Sequence, residues 1–260
     1  MTTGAVLVER RDAVATITLN RPDKRNAIDQ SMRDGLSNAL SELDRDAAIR
    51  IVVLTGAGSV FCAGVDLAEG ASSATGANGS GDPAGRPPVA TPLWQFSKPV
   101  IAALNGSAVG GGLEVALSCD IRITADGARF GLTEVKLGSL PGSGGTQLLP
   151  RIVGAGHAAQ MLFTGELIDA PHALAIGLVS EVVAADELAA AAAALAERIA
   201  LNAPLSLIAA KRALRAANEL PFTDGQLVER QLWADLAATE DRAEGRAAFR
   251  ERRPARFVGR

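Results

Sequence analysis

Two glutamates stand where the surrounding residues give a carboxylate little reason to be. Glu114 closes the run Asn105-Gly106-Ser107-Ala108-Val109-Gly110-Gly111-Gly112-Leu113-Glu114 and is followed by Val115, Ala116 and Leu117. Glu134 sits in Phe130-Gly131-Leu132-Thr133-Glu134-Val135-Lys136-Leu137-Gly138. A carboxylic acid buried near a second carboxylate has its pKa raised, and a glutamic acid then becomes a proton donor near neutrality. Spacing alone equally allows a paired or solvated surface glutamate. Twenty residues separate the two, so only the fold can bring them together. The chain has two histidines, His157 and His172, and no tyrosine, so acid–base chemistry falls mainly to carboxylates, lysine or cysteine.

Such chemistry also needs donors for developing negative charge. The triplet Gly110–Gly112 opens an apolar helix, whose first turn presents unpaired N–H groups. A second small-residue segment, Phe61-Cys62-Ala63-Gly64-Val65-Asp66-Leu67, follows Thr55-Gly56-Ala57-Gly58-Ser59. There backbone amides can approach a ligand closely; alternatively the segment is a tight strand-to-helix turn with Asp66 as the helix cap. Neither segment ends in Gly-Lys-Ser/Thr or has GxGxxG spacing, so nucleotide hydrolysis and nicotinamide binding have no motif to rest on. His157 and His172 fit surface or capping positions, and Cys62 lacks a neighbouring base. Arg250, Arg252, Arg253 and Arg256 read as a solvated helix face, or else as a local phosphate patch.

The elements that must position these residues alternate between strand and helix. Ala5–Glu9 and Ala13–Leu19 read as a hairpin, and Ile51–Leu54, Pro99–Leu104, Ile121–Thr124 and Leu178–Val183 as later strands. Ser31 is placed to cap a helix with Met32, Leu36, Ala39, Leu40 and Leu43 on its apolar face. This alternation predicts an α/β fold. From Asp186 onward the pattern is helical almost to the end, with the alanine-rich Ala189–Ala196 read as a core helix and an oligomer contact as the alternative. Between Glu69 and Pro92 the Gly/Ser/Pro-rich composition predicts a mobile loop. Trp94 and Phe96, beside a strand, read as core.

Composition excludes several classes. The 260 residues carry 26 basic and 29 acidic side chains, a formal net charge of −3, which gives no basic footprint for nucleic acid or an anionic membrane. Two cysteines, Cys62 and Cys119, make no disulfide framework and no zinc motif, so neither a metal nor another cofactor is expected. The first residues offer no signal-peptide run and no segment is long and apolar enough to span a bilayer, so a cytoplasmic setting is expected.

Taken together, Ala63–Leu67 (AGxDL), Asn105–Glu114 (NGxxxGGGxE), Phe130–Glu134 (FGxxE) and the run Leu140–Arg151 resemble the crotonase, or enoyl-CoA hydratase/isomerase, superfamily. Each motif is weak alone; four in order are specific, and the resemblance covers nearly the whole chain. It implies a repeated ββα spiral core over residues 1–200, a C-terminal helical region over 201–260 that serves oligomerisation, and a homotrimer or dimer of trimers. It also implies an acyl-CoA thioester as ligand.

Carried over by motif, the resemblance implies an oxyanion hole from the N–H groups of Val65 and Gly111. Glu114 would activate water for attack at C3, and Glu134 would deliver the proton to C2. Coenzyme A would be met by Lys24, Arg25 and the Ala63, Asp66, Leu67 segment. Ala68 stands where the family often has a lysine, and Arg252 or Arg253 from a neighbouring subunit would stand in for it. Filled glutamate positions imply hydration of a 2-enoyl-CoA or its reverse. The alternatives are double-bond isomerisation, a dehydratase for a specialised acyl-CoA, and a non-catalytic acyl-CoA-binding module. The resemblance also offers Trp94 and Phe96 as lining for an acyl tunnel.

Overall fold

In the computed structural model, which describes residues 4–66 and 88–260, the chain opens with an antiparallel hairpin of Val6–Arg11 (β1) and Val14–Leu19 (β2). Residues Ala15, Ile17 and Leu19 of β2 are buried and the alternate ones are half-exposed, the period of a strand covered on one face. Ile51–Gly56 (β3), Val100–Leu104 (β4), Ile121–Ala125 (β6) and Glu181–Val183 (β9) continue the sheet in the order β1-β2-β3-β4-β6-β9, with every pairing after the hairpin parallel. The expected strand Leu178–Val183 is shorter than its apolar pattern suggested. Leu178 and Val179 are buried, but their N–H groups turn back to Ala173 O instead of joining the ladder.

The central strands are buried on both faces, as parallel strands between layers must be. Val52 and Leu54 face the larger core, built largely with Gln30–Arg45 (α1). Ile51, Val53, Ile101 and Ile123 face Leu188–Ala200 (the seventh helix, α7). Ala192, Ala196 and Ala200 recur every four residues along α7, and their small side chains let the helix lie close on the sheet. One face of the alanine run is therefore core, while Ala189, Ala190, Ala193 and Ala194 on its other face are exposed.

Helix α1 buries Met32, Leu36, Ala39, Leu40 and Leu43, but its cap is Asp29, not Ser31. Asp29 is ion-paired with Arg21, and its Oδ1 accepts from Met32 N at 2.8 Å, so the helix starts earlier. The Ser31 hydroxyl, inside the first turn, donates to the same oxygen.

A second, small sheet adjoins the segments that hold the candidate site residues. Ala108–Val109 (β5) pairs parallel with Arg129–Gly131 (β7), which pairs antiparallel with Ile168–Asp169 (β8). Thr91–Gln95 (α2) precedes β4, and Gly111–Leu117 (α3) follows β5 directly. Gly145–Val153 (α4), Ala155–Thr164 (α5) and Ala170–Ala175 (α6) follow the site loop. After α7 come Pro204–Glu219 (α8), Phe222–Ala237 (α9) and Glu240–Glu251 (α10).

Buried polar contacts fasten this helical end to the sheet. Lys211 of α8 is 4% exposed; its Nζ lies 2.7 Å from Asp120 Oδ2 and donates to Lys98 O at 2.7 Å. Lys98 Nζ in turn donates to Leu43 O and Asp46 O at the end of α1. The tail returns to the core through Asp241, which accepts from Val258 N and Gly259 N, and through Arg50, which donates to Phe257 O. No single helix among the described residues is long and apolar enough to cross a membrane.

Candidate active site

Helix α3 is pressed against the Phe61–Cys62 segment. A Cβ at Gly112 would stand 2.3 Å from Cys62 O, so only glycine permits this approach. Val109 N donates to Cys62 O at 3.0 Å and Cys62 N to Ser107 O at 3.2 Å, so the segment and β5 move as one. Gly110, the helix cap, has φ 54° and ψ −128°, a conformation closed to L side chains, and a Cβ there would lie 3.0 Å from Glu134 Oε1.

Two amides converge at this junction. Ile28 N donates to Gly64 O and Asp66 N donates to Ile28 O, so the Val65 N–H between them turns the other way. Gly111, the first residue of α3, has an N–H with no intrahelical acceptor. Neither amide donates to a protein acceptor among the described residues. A Cβ on Gly111 would lie 3.6 Å from Val65 N, which places the two donors side by side.

Glu114, one turn into α3, is 3% exposed. Its Oε1 accepts from Ser143 N at 2.6 Å and from Gly145 N at 2.8 Å. Burial raises its carboxyl above the ordinary range, and those two N–H groups only oppose the shift. Glu134 begins a 3₁₀ turn, Glu134–Leu137, immediately after β7. Its Oε2 is buried and has no hydrogen-bond partner among the described residues. Burial raises this carboxyl too; its own backbone N–H opposes the shift and the negative charge of Glu114 adds to it. Among the described residues no lysine, arginine or histidine forms an ion pair with either glutamate. The fold thus brings together Glu114, Glu134, Val65 and Gly111 from three separate segments.

The amides of Ser143 and Gly145 are site groups that residue chemistry missed. Their signal was the turn Pro141-Gly142-Ser143-Gly144-Gly145, which enters α4 and so leaves N–H groups unpaired, but backbone donors carry no side-chain signature. Arg21 and Asn26 were missed as well. Arg21 Nη2 lies 3.2 Å from both Asp29 Oδ2 and Asp66 Oδ2, and buried Asn26 donates Nδ2 to Ala57 O and Val60 O. Arg21 thus fastens Asp66 and its segment to the Asp29 turn, and the residues that a cap at Asp66 would precede lie outside the described residues. Lys24 and Arg25 are exposed on the neighbouring turn, with Ala63 N donating to Arg25 O at 3.0 Å. Leu67, Ala68 and the Gly/Ser/Pro-rich stretch up to residue 87 lie outside the described residues.

Other candidates resolve differently. Phe96 is core, 2% exposed beneath the Lys211 ammonium, whereas Trp94 is half-buried and lines a cavity of about 370 Å³. Arg253 is ion-paired with Glu244 and Glu251. Cys62 is buried, its thiol pushed up to about 12 by burial, and so is no nucleophile. His157 and His172 are exposed with rings edge-on at 6.2 Å, and Asp169 caps α6 at His172 N. No group of three or more metal-ligating side chains occurs among the described residues.

Comparison with known proteins agrees with this architecture. A crystal structure of enoyl-CoA hydratase from Bacillus anthracis superposes with a TM-score of 0.90 at 37% identity, covering 98% of this chain and 100% of that one. The fold is the crotonase fold. The profile of the family described as enoyl-CoA hydratase/isomerase matches residues 9–260. (E)-Benzylidenesuccinyl-CoA hydratase of Thauera aromatica is 45% identical over 255 residues, 98% of this chain and 99% of that protein. 2,3-Dehydroadipyl-CoA hydratase of Escherichia coli K12 is 44% identical with the same coverage. The chain belongs to the enoyl-CoA hydratase/isomerase family and is an enzyme of it.

Proposed function

We propose that the protein hydrates a 2-trans-enoyl-CoA to a 3-hydroxyacyl-CoA, reversibly. The observation that carries this reading is the buried Glu114 close to the half-buried Glu134, neither ion-paired to a cation among the described residues, beside two amides without a protein acceptor. The thioester oxygen accepts from Val65 N–H and Gly111 N–H, where charge develops as the enolate forms; such a donor is worth on the order of a hundred- to a thousand-fold in rate. Glu114, whose Oε1 is occupied by Ser143 and Gly145, uses its other oxygen to take a proton from water as the water oxygen bonds to C3. Glu134, whose pKa is raised first by burial and further by the charge of Glu114, gives its proton to C2. The pair carries one proton between two oxygens, and the raised pKa of each supports that sharing.

Lys24 and Arg25, exposed beside Ala63, are the cations proposed for the coenzyme A phosphates. A homotrimer or dimer of trimers accounts for the bare apolar side chains of the helical end. Phe222, Trp233 and Phe249 are 84%, 62% and 85% exposed there, more than a solitary chain has reason to show.

Loss of enone absorbance on adding purified protein to crotonyl-CoA, with the product identified by mass and chirality, tests the reaction. Formation of 3-hydroxybutyryl-CoA is the expected outcome. Conversion of 3-enoyl to 2-enoyl thioesters without hydration would replace the reading with isomerisation. Tight thioester binding with neither reaction would leave a binding module.

A further inference from the structure

From the contacts of the turn that leads into α4 we infer that Ser143 is a positioning residue: its hydroxyl, held by an amide of the core, sets the N–H that Ser143 donates to Glu114. The inference rests on the hydratase reading above for the use to which Glu114 is put. Ser139 N donates to Glu134 O at 3.0 Å, and Gly144 O accepts from Gln147 N and Leu148 N at the start of α4. Between them, from Leu140 to Ser143, no backbone group is bonded to other backbone among the described residues. The hydrogen bonds of that stretch both belong to Ser143. Its N–H donates to Glu114 Oε1 at 2.6 Å, and its Oγ accepts from Val89 N at 3.2 Å.

Little else holds the amide in its direction. Pro141 is buried and fixes where the turn begins, but Leu140 is 70% exposed and a Cβ at Gly142 would meet nothing within 4 Å. Gly142 and Gly144 flank Ser143, and Gly144 has φ 103°, so the backbone on either side has the wide freedom of glycine. A side chain that reaches a fixed point removes that freedom at the residue where it matters.

Val89 is such a fixed point. It is 4% exposed in the larger core, and Ala90 and Leu93, which follow it into α2, are buried as well. A buried N–H needs an acceptor, and the acceptor of Val89 N is Ser143 Oγ. One hydroxyl therefore satisfies a core donor and ties the site turn to it. The Ser143 and Gly145 N–H groups favour the charged form of Glu114 against burial, and they leave its other oxygen to face water. Without the hydroxyl the turn is free to withdraw its amide, and Glu114 keeps Gly145 N–H alone.

Steady-state hydration of crotonyl-CoA by the full-length enzyme and its variants tests this. Ser143→Ala should lower kcat about fivefold, the worth of one net hydrogen bond, with KM within about twofold of wild type. The acid limb of its kcat profile should move to higher pH, because a Glu114 that accepts one amide is harder to ionise than one that accepts two. Ser143→Thr keeps the hydroxyl and should restore both. A lower kcat with an unmoved acid limb would reduce Ser143 to a structural contact and overturn the proposal, as would a Ser143→Thr enzyme that behaves like Ser143→Ala.

A second readout does not need turnover. Glu134 is the carboxyl whose charge couples to Glu114, so Glu134→Gln leaves one titrating member of the pair. In that background the protonated-carboxyl infrared band that Glu114→Gln abolishes should persist to higher pH once Ser143→Ala is added. That shift in a protein that hydrates no enoyl-CoA would sink the hydratase reading and keep the role of Ser143. Hydration with no shift would do the reverse.

Discussion

Buried charge is handled in opposite ways at the two ends of β4. At its start, Lys211 is sunk beside Asp120, and both are tied to the backbone of the strand: Lys211 to Lys98 O, Asp120 to Val100 N. Beyond its end, buried Glu114 and half-buried Glu134 lie close together, with no cation paired to either and one oxygen of Glu134 without a hydrogen-bond partner among the described residues. Opposite charges that satisfy one another hold a helix in place and have no reason to move a proton. Carboxyls whose ionised forms burial disfavours are suited to take up a proton and pass it on. The difference distinguishes a structural ion pair from the pair proposed to do chemistry.

The sharpest way to break this contrast is to remove the acids while keeping their shape. Glu114→Gln and Glu134→Gln should each lower kcat for enoyl-CoA hydration on the order of a thousandfold, the usual reach of general acid–base groups, with melting temperatures not below wild type. Steady-state kinetics beside thermal denaturation reads both. A similar operation at the other end should have the opposite profile. Lys211→Met removes the buried ammonium but leaves an exposed Asp120 still bonded to Val100 N, and should cost about 1 kcal/mol of stability by denaturant titration, while kcat per folded molecule stays within a few-fold. A Lys211→Met enzyme that is stable but inactive would mean that the two regions had been assigned the wrong way round.

The sequence made one of these regions far more legible than the other. Periodicity located α1 and the β2, β3 and β4 strands, because apolar spacing reports which face is buried. The proposed acids stood out because a carboxylate among Gly, Val and Leu is anomalous. Lys211 and Asp120, 91 positions apart, gave no such signal, since each alone looks like an ordinary polar surface residue. The same limit hid the Ser143 and Gly145 amides that hold Glu114, and the Arg21 contacts that fasten Asp66. Backbone donors have no residue type, and ion pairs between distant segments exist only once the chain is folded. Ser31 was taken for the α1 cap because it directly precedes the apolar face; Asp29, two residues earlier and held by Arg21, reached the open amide first. Trp94 and Phe96, two residues apart beside the same strand, could not be told apart by pattern, yet one is core and the other lines a cavity.

A smaller change sharpens the comparison without touching a titratable group. Gly110 provides the positive φ at the start of α3 and the space against which Glu134 rests. Gly110→Ala should displace both Gly111 N–H and the Glu134 carboxylate and lower kcat by about a hundredfold, the scale of a lost oxyanion donor. Gly127→Ala is its control: a Cβ there meets nothing within 4 Å, and the expected change in kcat and melting temperature is none.

The smallest effect expected is also the one that most directly reads stored electrostatic cost. Burial raises the Glu114 carboxyl above its ordinary value of 4.5, so between that value and the raised one the folded state binds more protons than the unfolded chain. Stability therefore falls as pH rises through this window and is not recovered above it. Glu114→Gln removes the titration while its amide oxygen still accepts from Ser143 and Gly145. The variant should gain about 0.5–2 kcal/mol over wild type at pH 8, a few degrees in melting temperature, and the gain should shrink to nothing as pH falls below the ordinary glutamate range. Thermal denaturation of the two proteins in parallel from pH 4 to pH 8 measures it. A gain of the same size at every pH would assign the effect to packing, whereas one that vanishes in acid belongs to the carboxylate.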